Sequence, residues 1–231
     1  MKIALIGTGN IGGTLARRLT KLGHDVSMAN SRGPESLRAL AQETGAKAVT
    51  VREAAHAGDV VVVTIPQKNV SDLPGDLFAD VPANVVVVDT GNYYPQHRDG
   101  AIAGIEAGAT ESRWVANTLK RPVIKAFNNI YALSLMNNGK PKGTSGRIAL
   151  PVAGDDTGAK AVVMQLIEEL GFDAVDSGTI DDSWKQQPGS PVYTADRDAA
   201  GVRAALAAAS KERTPAWRAT NDSPGTFDAP K

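Results

Sequence analysis

A chain of 231 residues with 25 Lys plus Arg against 25 Asp plus Glu has no formal net charge, so no basic field exists to hold nucleic acid or an anionic membrane. Having no cysteine, it can form neither disulfides nor Cys-ligated zinc or iron–sulfur centres, and it carries no thiol nucleophile. The length suits one domain or two with a real core, and no apolar run approaches the ~18 to 20 residues of a membrane span, which together favour a small-molecule role.

Met1 and Lys2 lead straight into the apolar Ile3 to Ile6, which reads as a first strand without a signal peptide, and a cytoplasmic location is expected. A helix is predicted from about Asn10 to Leu22, because Ile11, Leu15, Leu19 and Leu22 recur at helical spacing and Gly23 can end it. A second strand follows at Val26 to Ala29. Pro34 suits the first turn of a second helix, which shows Leu37, Leu40 and Ala41 on one face and stops at Gly45.

Apolar runs at Val60 to Ile65, Val85 to Val88 and Val123 to Phe127 do not alternate with polar residues, as expected of strands covered on both faces of a parallel sheet. Arg147 to Ala153 reads as a further strand. Asp155 or Asp156 can cap a helix bearing Val162, Val163, Leu166, Ile167 and Leu170, closed by Gly171 and followed by a short strand at Phe172 to Val175. An Ala-rich helix is predicted from about Ala195 to Lys211. The expected fold is therefore α/β: a Rossmann-type, doubly wound, mostly parallel sheet over residues 1–145 and a small α/β extension over 146–213. No linker separates them, so the boundary is soft and one domain can contain both. Residues 214–231, rich in Asn, Asp, Ser, Pro and Gly, read as a loose tail.

Gly7-Thr8-Gly9-Asn10-Ile11-Gly12 is a G-x-G-x-x-G between a predicted strand and a predicted helix, the context that dinucleotide binding requires. Gly7 permits the tight turn, Gly9 lets backbone approach a pyrophosphate, and Gly12 allows the helix to pack closely on the strand. The helix N-terminus then directs free N–H groups and its positive dipole end at phosphate. An NAD site places Asp or Glu at the end of the second strand, on the ribose 2′-hydroxyl. This chain has Asn30-Ser31-Arg32-Gly33 there, so no carboxylate repels a 2′-phosphate, Ser31 can donate to it and Arg32 offers a charged planar fork. NADP(H) is the expected cofactor; the plainer alternative is that Arg32 is an ordinary surface charge.

In an open α/β sheet the ligand lies outside the carboxyl ends of the strands. The segments leaving those ends are Ile65-Pro66-Gln67, Thr90-Gly91-Asn92-Tyr93-Tyr94 and Asn128-Asn129-Ile130. Pro66 fixes a turn beside the expected nicotinamide position or simply ends a strand. Asn92, Tyr93 and Asn128 are candidate pocket walls, although Asn also favours turns. His24 and His56 precede strands and so sit at the wrong end, whereas His97 follows a strand and is, with Tyr93, a candidate proton donor. No His or carboxylate cluster has metal-ligand spacing. Neither a Tyr-x-x-x-Lys pair nor a P-loop occurs, so hydride transfer must proceed with little protein acid–base help, which suits a flavin-like acceptor. Ser183 to Tyr193, with Trp184 and Tyr193, reads as an irregular segment that covers the nicotinamide pocket within a subunit or across a homodimer.

Ile3 to Leu15 (IALIGTGNIGGTL), Asn30 to Pro34 (NSRGP), Thr64-Ile65-Pro66 and Val152 to Asp156 (VAGDD) resemble the dinucleotide-binding oxidoreductases related to the NADP reductases of the deazaflavin coenzyme F420. The N-terminal pieces are also similar to the reductase domains of six-transmembrane ferric reductases. The resemblance implies NADPH held by Gly7 to Gly12, Ser31 and Arg32 on the 2′-phosphate, and the nicotinamide near Ile65, Pro66 and Ala126. The deazaflavin reductases have a His-containing segment where this chain reads Lys125-Ala126-Phe127-Asn128-Asn129, and the stretch from Asp182 differs from theirs. Hydroxyisobutyrate-type dehydrogenases share the N-terminal pattern but append a long helical domain. Three readings follow: hydride transfer between NADPH and a deazaflavin or flavin, reduction of a small carbonyl or imine, and NADP(H) sensing without turnover.

Overall fold

The computed structural model describes residues 1–212; the expected tail lies outside the described residues. Eight strands form one sheet: β1 (Lys2–Ile6), β2 (Asp25–Ala29), β3 (Lys47–Ala48), β4 (Val60–Val63), β5 (Val86–Asp89), β6 (Ile124–Lys125), β7 (Ala149–Ala153) and β8 (Asp173–Gly178). Their spatial order is β3-β2-β1-β4-β5-β6-β7-β8. The first six are mutually parallel; β7 runs antiparallel to β6 through a single registered pair, Lys125 with Ala153, and β8 is parallel to β7. The C-terminal strands thus continue the same sheet with its direction reversed.

Successive side chains on a strand point to opposite faces, and here both faces are covered. Ile3, Leu5, Val60, Val62, Val86 and Val88 meet Leu15 and Leu19 of α1 (Asn10–Lys21), past α2 (Arg38–Thr44), on one side. The alternate residues Ala4, Ile6, Val61, Val63 and Val87 meet Ala54 and Ala55 of α3 (Val51–Ala57) on the other. After the short α4 (Ala103–Glu106), α5 (Glu111–Leu119) joins the second face through Val115 and Leu119. Then α6 (Ala132–Asn137) and α7 (Thr157–Glu169) join the first through Leu135, Val163, Leu166 and Ile167. Finally α8 (Ala199–Ala207) packs Val202 and Leu206 on Ala149 and Val175. Arg18 of α1 donates to Leu135 O at 2.5 Å and Leu170 O at 2.6 Å and lies over the Phe172 ring, tying α1 to α6 and to the end of α7.

Several boundaries differ from the sequence reading for local reasons. The run from Val60 leaves the sheet at Thr64, and the run from Val123 keeps two residues in it, because Phe127 adopts φ +62° and the chain turns away. The segment after Gly33 forms a 3-10 turn over Pro34–Leu37 before α2. The last helix is shorter than expected because the Asp198 side chain caps it, accepting from Gly201 N at 2.8 Å. Among the described residues no helix is long and apolar enough to cross a membrane.

Candidate functional site

The glycine turn follows β1 directly. Gly7 has φ +112°, and a Cβ there would lie 2.2 Å from Thr64 O; a Cβ on Gly12 would lie 2.2 Å from Gly7 O. Both contacts are impossible for any side chain, so these two glycines are required by the backbone itself. Gly9 is different: it is exposed, and a Cβ there would meet nothing within 4 Å. It is the N-cap of α1 with no side-chain cap and no acid in the first turn, which leaves the N–H groups of Asn10 and Ile11 facing open space. A recess of about 420 Å³, lined in part by Thr8, Gly9, Asn10 and Thr14, opens there. This shape and charge fit a pyrophosphate.

At the end of β2, Asn30 Oδ1 accepts from Arg32 N at 2.9 Å and Asn30 Nδ2 donates to Ser36 Oγ at 2.9 Å. Asn30 therefore shapes the loop with its own side chain, while Ser31 and Arg32 stay exposed. Arg32 has no ion pair among the described residues, leaving its guanidinium available for a phosphate.

Thr64, Ile65 and Pro66 leave β4 half-buried, with Thr64 N donating to Ile6 O at 2.8 Å. Ala126, expected beside the nicotinamide, is 0% exposed in the core and offers no surface. Asn92 and Asn128 bind each other: Asn92 Nδ2 donates to Asn128 O at 2.9 Å and Asn128 Nδ2 to Asn92 Oδ1 at 3.1 Å. They join the β5 and β6 ends.

Beneath these loops lies a buried polar cluster absent from the sequence reading. Lys125 Nζ contacts Asp89 Oδ2 at 3.1 Å and donates to Gly91 O; Asp89 also accepts from Ser112 Oγ and Gly91 N, both at 2.7 Å. Gln67 Nε2 donates to Glu111 O at 3.2 Å, and Glu111 Oε2 accepts from Tyr93 N at 3.2 Å. Burial pushes the Glu111 carboxyl up to about 8, against an opposing pull from Lys125. The members sit far apart in sequence, and Lys125 is embedded in an apolar run, so no local pattern announces the cluster.

Tyr93 is fully buried; its hydroxyl donates to Glu106 Oε1 at 2.8 Å and accepts from Ile102 N at 2.9 Å, and burial raises its pKa. It has no surface to present to a substrate. His97 is exposed on a π-helical turn, edge-on to Tyr94 with centroids 6.2 Å apart. His24 meets Glu169 at 3.0 Å before β2, and His56 is exposed at the end of α3. The segment Ser183 to Tyr193 splits in two. The Tyr193 hydroxyl meets that of Tyr94, and Thr194 N donates to Asn129 O at 2.8 Å, which brings this end over β5 and β6. Trp184 instead lines a separate groove against Gly108, Ala109, Thr110 and the chain at Ser210 to Glu212.

Residues 2–93 match the family described as NADP oxidoreductase, coenzyme F420-dependent. The Escherichia coli (strain K12) protein YjhV is 45% identical over 92 residues, which are 40% of this chain and 60% of that protein. The structure of a hypothetical protein, SMa0349, from Sinorhizobium meliloti superposes with a TM-score of 0.70 at 31% identity, covering 84% of this chain and 93% of that one. A candidate F420-dependent NADP reductase from Arthrobacter sp. FB24 shares the fold, with a TM-score of 0.62 at 24% identity over 78% of this chain and 86% of its own. A doubly wound sheet with an open recess at its glycine turn and these similarities define an NADP-dependent oxidoreductase of Rossmann type. The chain belongs to the NADP oxidoreductase family described as coenzyme F420-dependent.

Proposed function

We propose that the protein transfers hydride between NADPH and a deazaflavin or flavin-type acceptor. The observation that carries the cofactor half is the open space at Gly9 between two glycines that tolerate no side chain. Gly7 to Gly12 would hold the pyrophosphate with the backbone N–H groups of Asn10 and Ile11, while Ser31 and Arg32 would engage the 2′-phosphate. Ile65 and Pro66 would shape the nicotinamide side, with Thr64 and Asn92 supporting them. The bound nicotinamide supplies the hydride; the protein aligns it and screens it from water.

Two placements support a flavin-like acceptor. Tyr93 is withdrawn into the core, and His97 lies exposed on a turn, so neither is held in a dry pocket as a proton donor. An acceptor with its own ring nitrogen to protonate needs no such donor. A second reading, reduction of a small carbonyl or imine, is favoured by the paired hydroxyls of Tyr94 and Tyr193. Loss of the near-ultraviolet absorbance of NADPH under anaerobic conditions, measured against coenzyme F420, FMN, ferric chelates and small carbonyls, separates the readings. Turnover with F420 or FMN is expected; turnover confined to carbonyls or imines would establish the second, and binding without any turnover would point to a sensor.

A further inference from the structure

The buried cluster beneath the strand ends has an imbalance of donors. Glu111 Oε1 and Gln67 Oε1 are buried atoms without a hydrogen-bond partner, and both are acceptors when the carboxyl is ionised. The Gln67 side chain lies against the Glu111 backbone, its Nε2 donating to the Glu111 carbonyl at 3.2 Å. A proton on Glu111 turns one of these lone acceptors into a donor.

The charges around it point the same way. From β6, Lys125 faces Glu111 but is already bound to Asp89 of β5, and Asp99 of the π-helical turn is bound to Arg98 at 2.9 Å. Tyr94 and Tyr193 also face it and are neutral. Glu111 is therefore a carboxyl with no cation of its own, fully buried, with Gln67 from the turn after Ile65-Pro66 against its backbone and Tyr93 N from the β5 end on its carboxylate.

We infer that Glu111 is a buried carboxylic acid whose proton is linked to the charge of the bound nicotinamide: it is kept when the reduced, neutral ring is bound and released to solvent when the oxidised, cationic ring is bound. A cation near a buried carboxyl favours its ionised form. The released proton makes the affinity for NADP+ rise with pH while the affinity for NADPH stays flat, and a positive ring gains a counter-charge that a neutral ring does not need. Glu111 acts here as a positioning residue for charge.

This inference rests on the NADP reading above, and calorimetry tests the two apart. Each cofactor form is titrated into the full chain at neutral pH in two buffers of different ionisation enthalpy, which counts protons exchanged on binding. The 2′-phosphate is common to both forms, so its own titration cancels in the difference. We expect NADP+ to release a fraction of a proton more than NADPH, and Glu111→Gln to bind both forms with that difference erased. Equal proton counts for the two forms, or a difference that survives Glu111→Gln, overturns the inference alone; failure of the unmutated protein to bind either form overturns the NADP reading with it. Should Glu111→Gln fail to fold, infrared spectra of the unmutated protein decide: a protonated-carboxyl band that persists with NADPH and fades with NADP+ is expected, and its absence or its indifference to the cofactor form overturns the inference.

Discussion

Arg32 is proposed as a phosphate ligand for what it does not touch: its loop is shaped by Asn30, and its guanidinium stays exposed beside Ser31. Removing a charge-assisted contact to phosphate costs about 1.5 to 3 kcal/mol, or about ten- to hundredfold in affinity. Arg32→Ala should weaken NADPH by that factor and leave NADH nearly unchanged, as measured by the two dissociation constants. The glycines divide in the same way. Gly9→Val should keep its circular dichroism and lose the cofactor, because the side chain enters open space that the pyrophosphate needs. Gly12→Val should lose the fold, because its Cβ meets Gly7 O at 2.2 Å.

Glu111 gives a residue-scale prediction about stability. Its carboxyl titrates near pH 8 in the folded protein against an ordinary value of 4.5. Below the ordinary value both states hold the proton and the residue is neutral for stability. As pH rises from there, the unfolded chain releases the proton while the folded one retains it, so stability falls until the folded group also ionises near pH 8. Glu111→Gln removes that slope, and the gain in stability should be absent in mild acid and reach a few kcal/mol, as an order of magnitude, above neutral pH. Thermal melts across that range check it; a constant offset at every pH would show that ionisation is irrelevant.

At the scale of elements, the sequence was most legible where one period dominates. The unbroken apolar run of β1 and the helical spacing of α1 each admit one reading, and the glycine turn lies where those two patterns meet. Legibility failed where a side chain far away decides. Tyr93 and Tyr94 are adjacent in sequence, yet one hydroxyl turns into the core to Glu106 and the other meets Tyr193. The segment from Ser183 to Tyr193 has enough aromatic area for a cover, but Trp184 and Tyr193 serve different places. Tyr193→Phe should lower turnover more than NADPH affinity. Trp184→Ala should lower thermal stability by up to about 3 kcal/mol while leaving turnover of the remaining folded protein near normal. Steady-state kinetics on both variants beside their melting curves separates the two roles, and the reverse pattern would restore Trp184 to the site.

At the scale of the whole molecule, the sheet has a seam. Parallel strands β1, β4 and β5 share ladders of four registered pairs, whereas β6 joins β7 through one. Side chains also bridge the seam: Gln186 Nε2 donates to Asn128 Oδ1 at 3.0 Å, and Asn128 Nδ2 donates to Gln186 O at 2.6 Å. Hydrogen exchange should therefore find the amides of β7 and β8 opening at lower free energy than those of β1 and β4. Uniform protection across all eight strands would mean that the seam does not behave as a boundary.

Arg18 crosses this division from the other side. The helix that carries it begins at the glycine turn and is about 18 Å long, at 1.5 Å for each of its 12 residues. Its far end grips the carbonyls of Leu135 and Leu170 and caps the Phe172 ring. A helix gripped in this way would pass a shift of its first turn on to the root of β8. Protection of β8 amides that rises on NADPH binding, and no longer rises in Arg18→Ala, would be the signature of that lever.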